Sequence, residues 1–215
     1  MVSLGSGDFR LLTIKSLEVL KNSDIICVPT KSKDSFEKSR SYVIVSDALK
    51  YLGIKRELKA IYSPMKLKTE DWDRQSDEIL ECFDKSSRVS FVTLGDASIY
   101  SSVYYILEFI RDKNIEIFNN TEITEGITSF SSASAKIKKP LCLGNSRLVV
   151  EPFHSSKDTE TTTVFMRPNR GDLLDKFDED ITIFENLNFT DEVIYSSKID
   201  RVKKYMTLII DFFKK

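Results

Sequence analysis

Along its first half the chain alternates short runs of aliphatic and β-branched residues with longer stretches whose apolar positions recur every three or four residues. Val2 to Leu4 leads into Thr13 to Asn22, where Ile14, Leu17 and Leu20 share a helical face and Thr13 is placed to cap it. The order then repeats: Asp24 to Val28 before Ser41 to Leu52, Leu58 to Tyr62 before Glu70 to Lys85, and Arg88 to Leu94 before Ile99 to Lys113. Ile115 to Phe118 reads as a closing strand. Five strands joined by crossover helices predict a parallel, doubly wound sheet, since parallel neighbours need a connection long enough to return to the same end.

Beyond Phe118 the polar stretch Asn119-Asn120-Thr121-Glu122 interrupts the alternation, and the pattern changes. A helix over Thr128 to Lys138 precedes strand-like runs at Arg147 to Glu151, Thr161 to Arg167, Ile181 to Phe184 and Tyr205 to Phe213, with one helix among them near Asp172 to Phe177. Strands following one another with few crossovers favour a mixed or antiparallel sheet. The predicted fold class is therefore α/β in two domains. Residues 1–120 form an N-terminal parallel five-stranded domain, and residues 121–215 a C-terminal mixed-sheet α/β domain.

Composition narrows the chemistry. With 32 Lys and Arg against 33 Asp and Glu the net charge is −1, which argues against nucleic acid or a membrane surface as partner. At 41% hydrophobic and 30% charged residues the 215-residue chain is too apolar for disorder and too often interrupted by charge to span a bilayer. A single histidine, His154, removes mechanisms that need two imidazoles. Cys27, Cys82 and Cys142 form no CxxC and read as buried, reduced thiols among apolar neighbours, so no metal site is expected. Met1 to Arg10 has neither a basic nor an apolar signal region. A cytoplasmic location is expected, and the sequons at Asn119 and Asn188 read as accidental.

Seven glycines occur, and four of them fall in three short motifs. Gly5 and Gly7 lie in Leu4-Gly5-Ser6-Gly7-Asp8 past the first strand, Gly95 in Leu94-Gly95-Asp96-Ala97-Ser98-Ile99-Tyr100 past the fourth, and Gly126 in Glu125-Gly126-Ile127-Thr128-Ser129. In an open parallel sheet, loops beyond the carboxyl ends of the strands surround the ligand crevice, and glycine permits close backbone approach. The first loop is not the GxGxxG fingerprint, because Arg10 stands where the third glycine would be, and no GxxxxGK[ST] occurs. These loops suit a ligand rich in hydroxyl, amine and carboxylate groups and lacking a pyrophosphate.

These residues resemble the tetrapyrrole methylase family, whose members transfer methyl groups from S-adenosylmethionine onto corrin precursors. The family's Gly-x-Gly-Pro-Gly-Asp loop is matched by Ser3-Leu4-Gly5-Ser6-Gly7-Asp8, its Leu-Leu-Thr helix start by Leu11-Leu12-Thr13, its Gly-Asp-Pro by Gly95-Asp96-Ala97, and its Pro-Gly-Ile-Thr-Ser by Glu125 to Ser129. Ser63-Pro64-Met65, Ile99-Tyr100-Ser101-Ser102, Val164-Phe165-Met166-Arg167 and Glu185-Asn186-Leu187 are similar to members methylating C(20) of precorrin-2 or cobalt-factor II. A sibling activity at another ring position, or a non-catalytic cofactor- or tetrapyrrole-binding protein, stays open. Ser6, Ala97 and Glu125 replace family prolines and Ser3 a family glycine. Loss of proline raises the entropy lost on ordering a loop by up to about 1 kcal/mol. Glu125 reads either as a charge repelling the cofactor's carboxylate or as a favourable charge at a helix N-terminus.

The resemblance implies a cofactor cleft between two domains, S-adenosyl-L-methionine as cofactor, a tetrapyrrole substrate and a homodimer. It places Gly95, Asp96, Ile99, Thr128, Ser129 and Met166 at the cofactor. Asp96 and Thr128 read equally well as helix N-caps, and Met166 as a core residue. The many carboxylates of the substrate require clustered cations. Lys31, Lys33, Lys38, Arg40, Lys66, Lys68, Arg167 and Arg170 lie past strand ends, and Arg40 and Arg167, capable of bidentate contacts, together with Lys31 are the leading candidates. Asp8 and Tyr100 are candidate proton handlers, His154 is equally a surface-loop residue, and no catalytic residue is assigned. Methyl transfer from a sulfonium needs alignment and exclusion of water more than a strong base.

Overall fold

The computed structural model describes residues 1–33, 35–37, 39–64, 66–150, 161–166, 168–187, 189–204 and 207–212. Its contacts divide into two compact units, Met1–Leu148 and Val149–Lys215. The sequence pattern places its division at residue 120, whereas residues 121–148 group with the first unit. That grouping has local causes: Thr124 N donates to Met1 O at 3.0 Å and its hydroxyl accepts from Ser3 N at 3.1 Å. No helix among the described residues is long and apolar enough to cross a membrane.

The first unit contains β1 (Val2–Ser3), α1 (Ile14–Asn22), β2 (Ile25–Thr30), α2 (Arg40–Tyr51), β3 (Glu57–Tyr62), α3 (Thr69–Phe83), β4 (Val89–Thr93), α4 (Val103–Lys113), α5 (Ile115–Asn119) and α6 (Ser129–Ile137). Its described strands pair in parallel in the order β1-β4-β2-β3. The alternation of side chains along β2 feeds two cores. Ile25 and Cys27 pack with Ile79 and Cys82 of α3 and Ile106 and Ile110 of α4. Ile26 and Val28 pack with Leu20 of α1 and Ile44, Val45 and Ala48 of α2. Helices on both faces are what a doubly wound sheet requires.

The expected fifth strand is corrected: Ile115–Asn119 is helical. Asn114 accepts from Ile117 N at 3.0 Å and nucleates a turn, and Ile117 and Phe118 pack side by side on the core while Ile115 stays exposed. The Ile-x-Ile alternation satisfied a strand template over too few residues to exclude a capped helical turn. The sheet therefore has four described strands, not five.

The second unit contains β5 (Thr163–Met166), β6 (Ile181–Glu185), β7 (Val193–Tyr195) and β8 (Thr207–Asp211), in the order β5-β8-β6-β7. Every pairing described is antiparallel, so the expected mixed sheet is corrected to an antiparallel one. Phe165, Leu174, Ile181, Ile183, Val202 and Ile209 make its core. The helix expected near Asp172–Phe177 is a chain of turns, in which Leu173 bridges Arg201 and Leu174 N is drawn to Asp200 O at 3.2 Å. Residues 147–150 form no strand and Val193–Tyr195 forms an unanticipated one. Glu151, His154, Tyr205 and Phe213 lie outside the described residues.

Candidate functional site

The parallel sheet delivers two glycine loops to the same edge. β1 and β4 are neighbours, and just past their ends Gly5 N donates to Gly95 O at 3.0 Å while Gly95 N donates to Gly5 O at 2.8 Å. Both residues are left-handed, with φ of +67° and +81°, a region that side-chain-bearing residues enter at a cost. The third loop docks on this pair. A Cβ built on Gly126 would stand 2.5 Å from Gly95 O, 2.7 Å from Ser3 Cβ and 3.0 Å from Asp96 Cα. The three glycine motifs of the sequence thus meet within the first unit.

A buried cluster of hydroxyls fastens them. Thr124 Oγ1 accepts from Ser3 N and lies 2.6 Å from Ser16 Oγ, which donates to Ser3 O at 3.1 Å. Ser3 Oγ in turn accepts from Ala97 N at 3.0 Å. Two departures from the family pattern therefore answer each other, because the N–H that proline would lack finds the hydroxyl that glycine would lack. Ser6, also in place of a family proline, hydrogen-bonds through its hydroxyl to Ser132 Oγ on α6. Ser16, Thr124 and Ser132 were not singled out from the sequence. The only local signal was Thr13-x-x-Ser16 at the start of α1, where Thr13 Oγ1 accepts from Ser16 N at 3.1 Å.

Asp96 Oδ1 accepts from Ser98 N at 2.9 Å and from Ser98 Oγ at 2.8 Å, closing the turn that leads to Ile99, which is 39% exposed. No Cβ neighbour crowds Gly95, so its outer face is open. Thr128 caps α6 by accepting from Ser131 N at 3.3 Å, and Ser129 is the exposed first residue of that helix. Glu125 is exposed, four residues before α6 begins. Lys31 follows β2 directly and Arg40 opens α2, both exposed. Their neighbourhood is held by Ser39, whose hydroxyl donates to Pro29 O at 2.8 Å.

Asp8 is held by Arg10, which donates to it from backbone and guanidinium, and these hydrogen bonds pull its carboxyl down to about 2. Such a group is a weak proton acceptor near neutrality. Tyr100 carries a left-handed backbone, φ 50°, and is 68% exposed. Met166 ends β5 in the second unit, 73% exposed, and lines a cavity of about 320 Å³ with Phe165, Leu173, Lys176 and Phe177. Lys38 and Arg167 lie outside the described residues.

A glycine-lined edge with hydroxyls, the acidic turns at Asp8 and Asp96 and an exposed isoleucine is suited to binding and orienting a small polar molecule. That is the kind of site expected of a group-transfer enzyme whose reagent brings its own reactivity. The family model of tetrapyrrole (corrin/porphyrin) methylases matches residues 1–202, and the chain belongs to that family. It is 28% identical to a probable cobalt-precorrin-2 C(20)-methyltransferase of Methanocaldococcus jannaschii, over the whole of this chain and 96% of the relative. It is 29% identical to a cobalt-precorrin-2 C(20)-methyltransferase of Salmonella typhimurium over 69% of this chain and 60% of that one. Among solved structures, a cobalt precorrin-4 methyltransferase shares the fold at a TM-score of 0.51 and 15% identity, covering 97% of this chain and 92% of that one.

Proposed function

We propose that this methylase transfers the methyl group of S-adenosyl-L-methionine to C(20) of precorrin-2 or its cobalt-containing counterpart. The observation that carries the reading is the convergence of the Gly5, Gly95 and Gly126 loops on one edge of the parallel sheet. The names of the two C(20)-methyltransferase relatives narrow the acceptor.

The residues of the first unit fit the cofactor. Gly95 leaves open space where backbone can approach a ligand, Asp96 supplies a carboxylate for amine or hydroxyl groups, and Ile99 supplies apolar surface. Thr128 and Ser129 add hydroxyls from the start of α6. Met166 is assigned to the cofactor on the resemblance alone. When bound, S-adenosylmethionine supplies an electrophilic methyl on a sulfonium. The protein's share is to orient that methyl toward the acceptor carbon and to exclude water, which accounts for most of the acceleration in a displacement of this type.

Arg40 and Lys31, past the end of β2 in the parallel sheet, are assigned to the substrate's carboxylates, and Arg167 joins them on the resemblance alone. With Asp8 bound to Arg10, Tyr100 is the better candidate for handling the proton lost after methylation. The reading also carries a division into domains 1–120 and 121–215, a cytoplasmic location and a homodimer.

Calorimetric titration with S-adenosylhomocysteine tests the cofactor site. Micromolar binding, about −8 kcal/mol, is expected, and Asp96→Ala should weaken it. Absence of heat at millimolar ligand overturns the reading. Mass analysis after incubation with S-adenosylmethionine and precorrin-2, with and without cobalt, then reads the acceptor. Binding without added methyl groups would leave a silent binder, and a methyl at another carbon a sibling activity.

A further inference from the structure

Cys27 and Cys82 are 55 residues apart, yet their Sγ atoms face each other at 3.6 Å in the core between β2 and α3. They are 0% and 2% exposed. The pleat of β2 sends Cys27 to this face with Ile25, and Cys82, three residues after Ile79, is the penultimate residue of α3. Lys59, the register partner of Cys27 on β3, reaches over the same turn. Its Nζ donates to Glu78 O at 2.6 Å and to Glu81 Oε2 at 3.3 Å, and the Cys82 thiol donates to the same Glu78 O at 3.3 Å.

The surroundings divide the two sulfurs. The hydrogen bond from Cys27 and the charge of Lys59 outweigh burial and draw the Cys82 thiol down to about 7, whereas the same hydrogen bond and burial push the Cys27 thiol up. Of the two, Cys82 is the sulfur that gives up its proton more readily. A thiolate next to a lysine, with a second thiol in contact to resolve it, is favoured for oxidation once peroxide gains access through an opening of the helix end. Closing 3.6 Å to a bond of about 2.05 Å asks for a shift of about 1.5 Å at the end of α3, where helices fray most readily.

We propose that Cys27 and Cys82 are a paired oxidation site that closes to an intramolecular disulfide when hydrogen peroxide reaches the end of α3. The Cys82 thiolate attacks one peroxide oxygen, the O–O bond breaks, and the departing hydroxide takes up a proton and leaves as water. The resulting Cys82 sulfenic acid is attacked by the Cys27 sulfur. An S–S bond forms, the S–O bond breaks, and the Cys27 proton leaves with the hydroxyl as a second water. Two thiols lose two electrons and one peroxide gains them. The crosslink ties α3 to the sheet whatever ligand the protein binds.

Cys142, expected to be buried like the other two, is exposed instead, and the test uses the full chain with it replaced, Cys142→Ser. The folded protein is treated with hydrogen peroxide, then unfolded in an alkylating agent and weighed. The expected product has lost two hydrogens, resists alkylation, yields a linked Cys27–Cys82 peptide pair, melts higher than the reduced form and reverts with dithiothreitol. Two alkylated thiols, over-oxidised Cys82 without a link, or a link that forms only in denaturant overturns the proposal. With Cys27→Ala added, dimedone should label Cys82. With Cys82→Ala instead, Cys27 should stay unlabelled, and the reverse pattern refutes the assigned order.

Discussion

Gly126→Ala is the sharpest probe of the loop junction. Gly126 is not among the glycines with positive φ, so alanine meets no backbone strain, and the unfolded-state effect alone would stabilise by about 0.4–1 kcal/mol. Packing opposes this. The new methyl would stand 2.5 Å from Gly95 O and 3.0 Å from Asp96 Cα, both backbone, and 2.7 Å from Ser3 Cβ. The Gly95 carbonyl accepts from Gly5 N, so retreat pulls apart the bridge between the first two loops. Forced insertions of this kind cost about 1–3 kcal/mol, and the rigid contacts place this one in the upper half. The net expectation is a loss of about 1–2 kcal/mol, or roughly 3–6 °C in the melting midpoint, together with at least a roughly tenfold loss of S-adenosylhomocysteine affinity by calorimetry. Gly53→Ala is the control. Gly53 lies past α2 with φ +66° and open space around it, so it should lose stability and keep affinity. Wild-type melting and affinity in Gly126→Ala would refute the reasoning.

Thr124→Val removes the acceptor of the buried Ser3 N–H and the partner of Ser16 Oγ; urea titration should show a loss of about 1–3 kcal/mol, with Thr124→Ser recovering most of it. Ser3→Gly orphans the Ala97 N–H, and Ala97→Pro removes it; the double variant should be more stable than the two single losses predict by about 1 kcal/mol, and simple additivity would count against a direct pairing. Asp8 titrates near 2 in the folded protein because Arg10 hydrogen-bonds its carboxylate. A depressed carboxyl stabilises above its unfolded value, and that contribution is lost as pH falls from about 4 toward 2. Carboxyl NMR should find the Asp8 midpoint near 2 in the wild type and back in the ordinary range in Arg10→Ala.

Much of the first unit was legible in order, because its determinants are local. Apolar periodicity marked the helices and strands, and Thr13, Ser39 and Thr128 cap helices through hydrogen bonds spanning three residues. That glycine loops past parallel strands meet also follows from strand–helix alternation, since crossovers bring every such loop to one edge. Ile115–Asn119 shows the limit: five residues fit both a strand and a capped helical turn, and only the core chose between them. The all-antiparallel pairing of β5 to β8 and the grouping of residues 121–148 with the first unit were settled by contacts between distant segments. So were the hydroxyl bonds joining Ser3 to Thr124 and Ala97, and the meeting of Cys27 with Cys82. The sequence by itself determined which segments become helix and strand and which loops carry glycine. The tertiary structure decided which side chains answer one another across them, because partners separated by tens of residues leave no periodic trace in the chain.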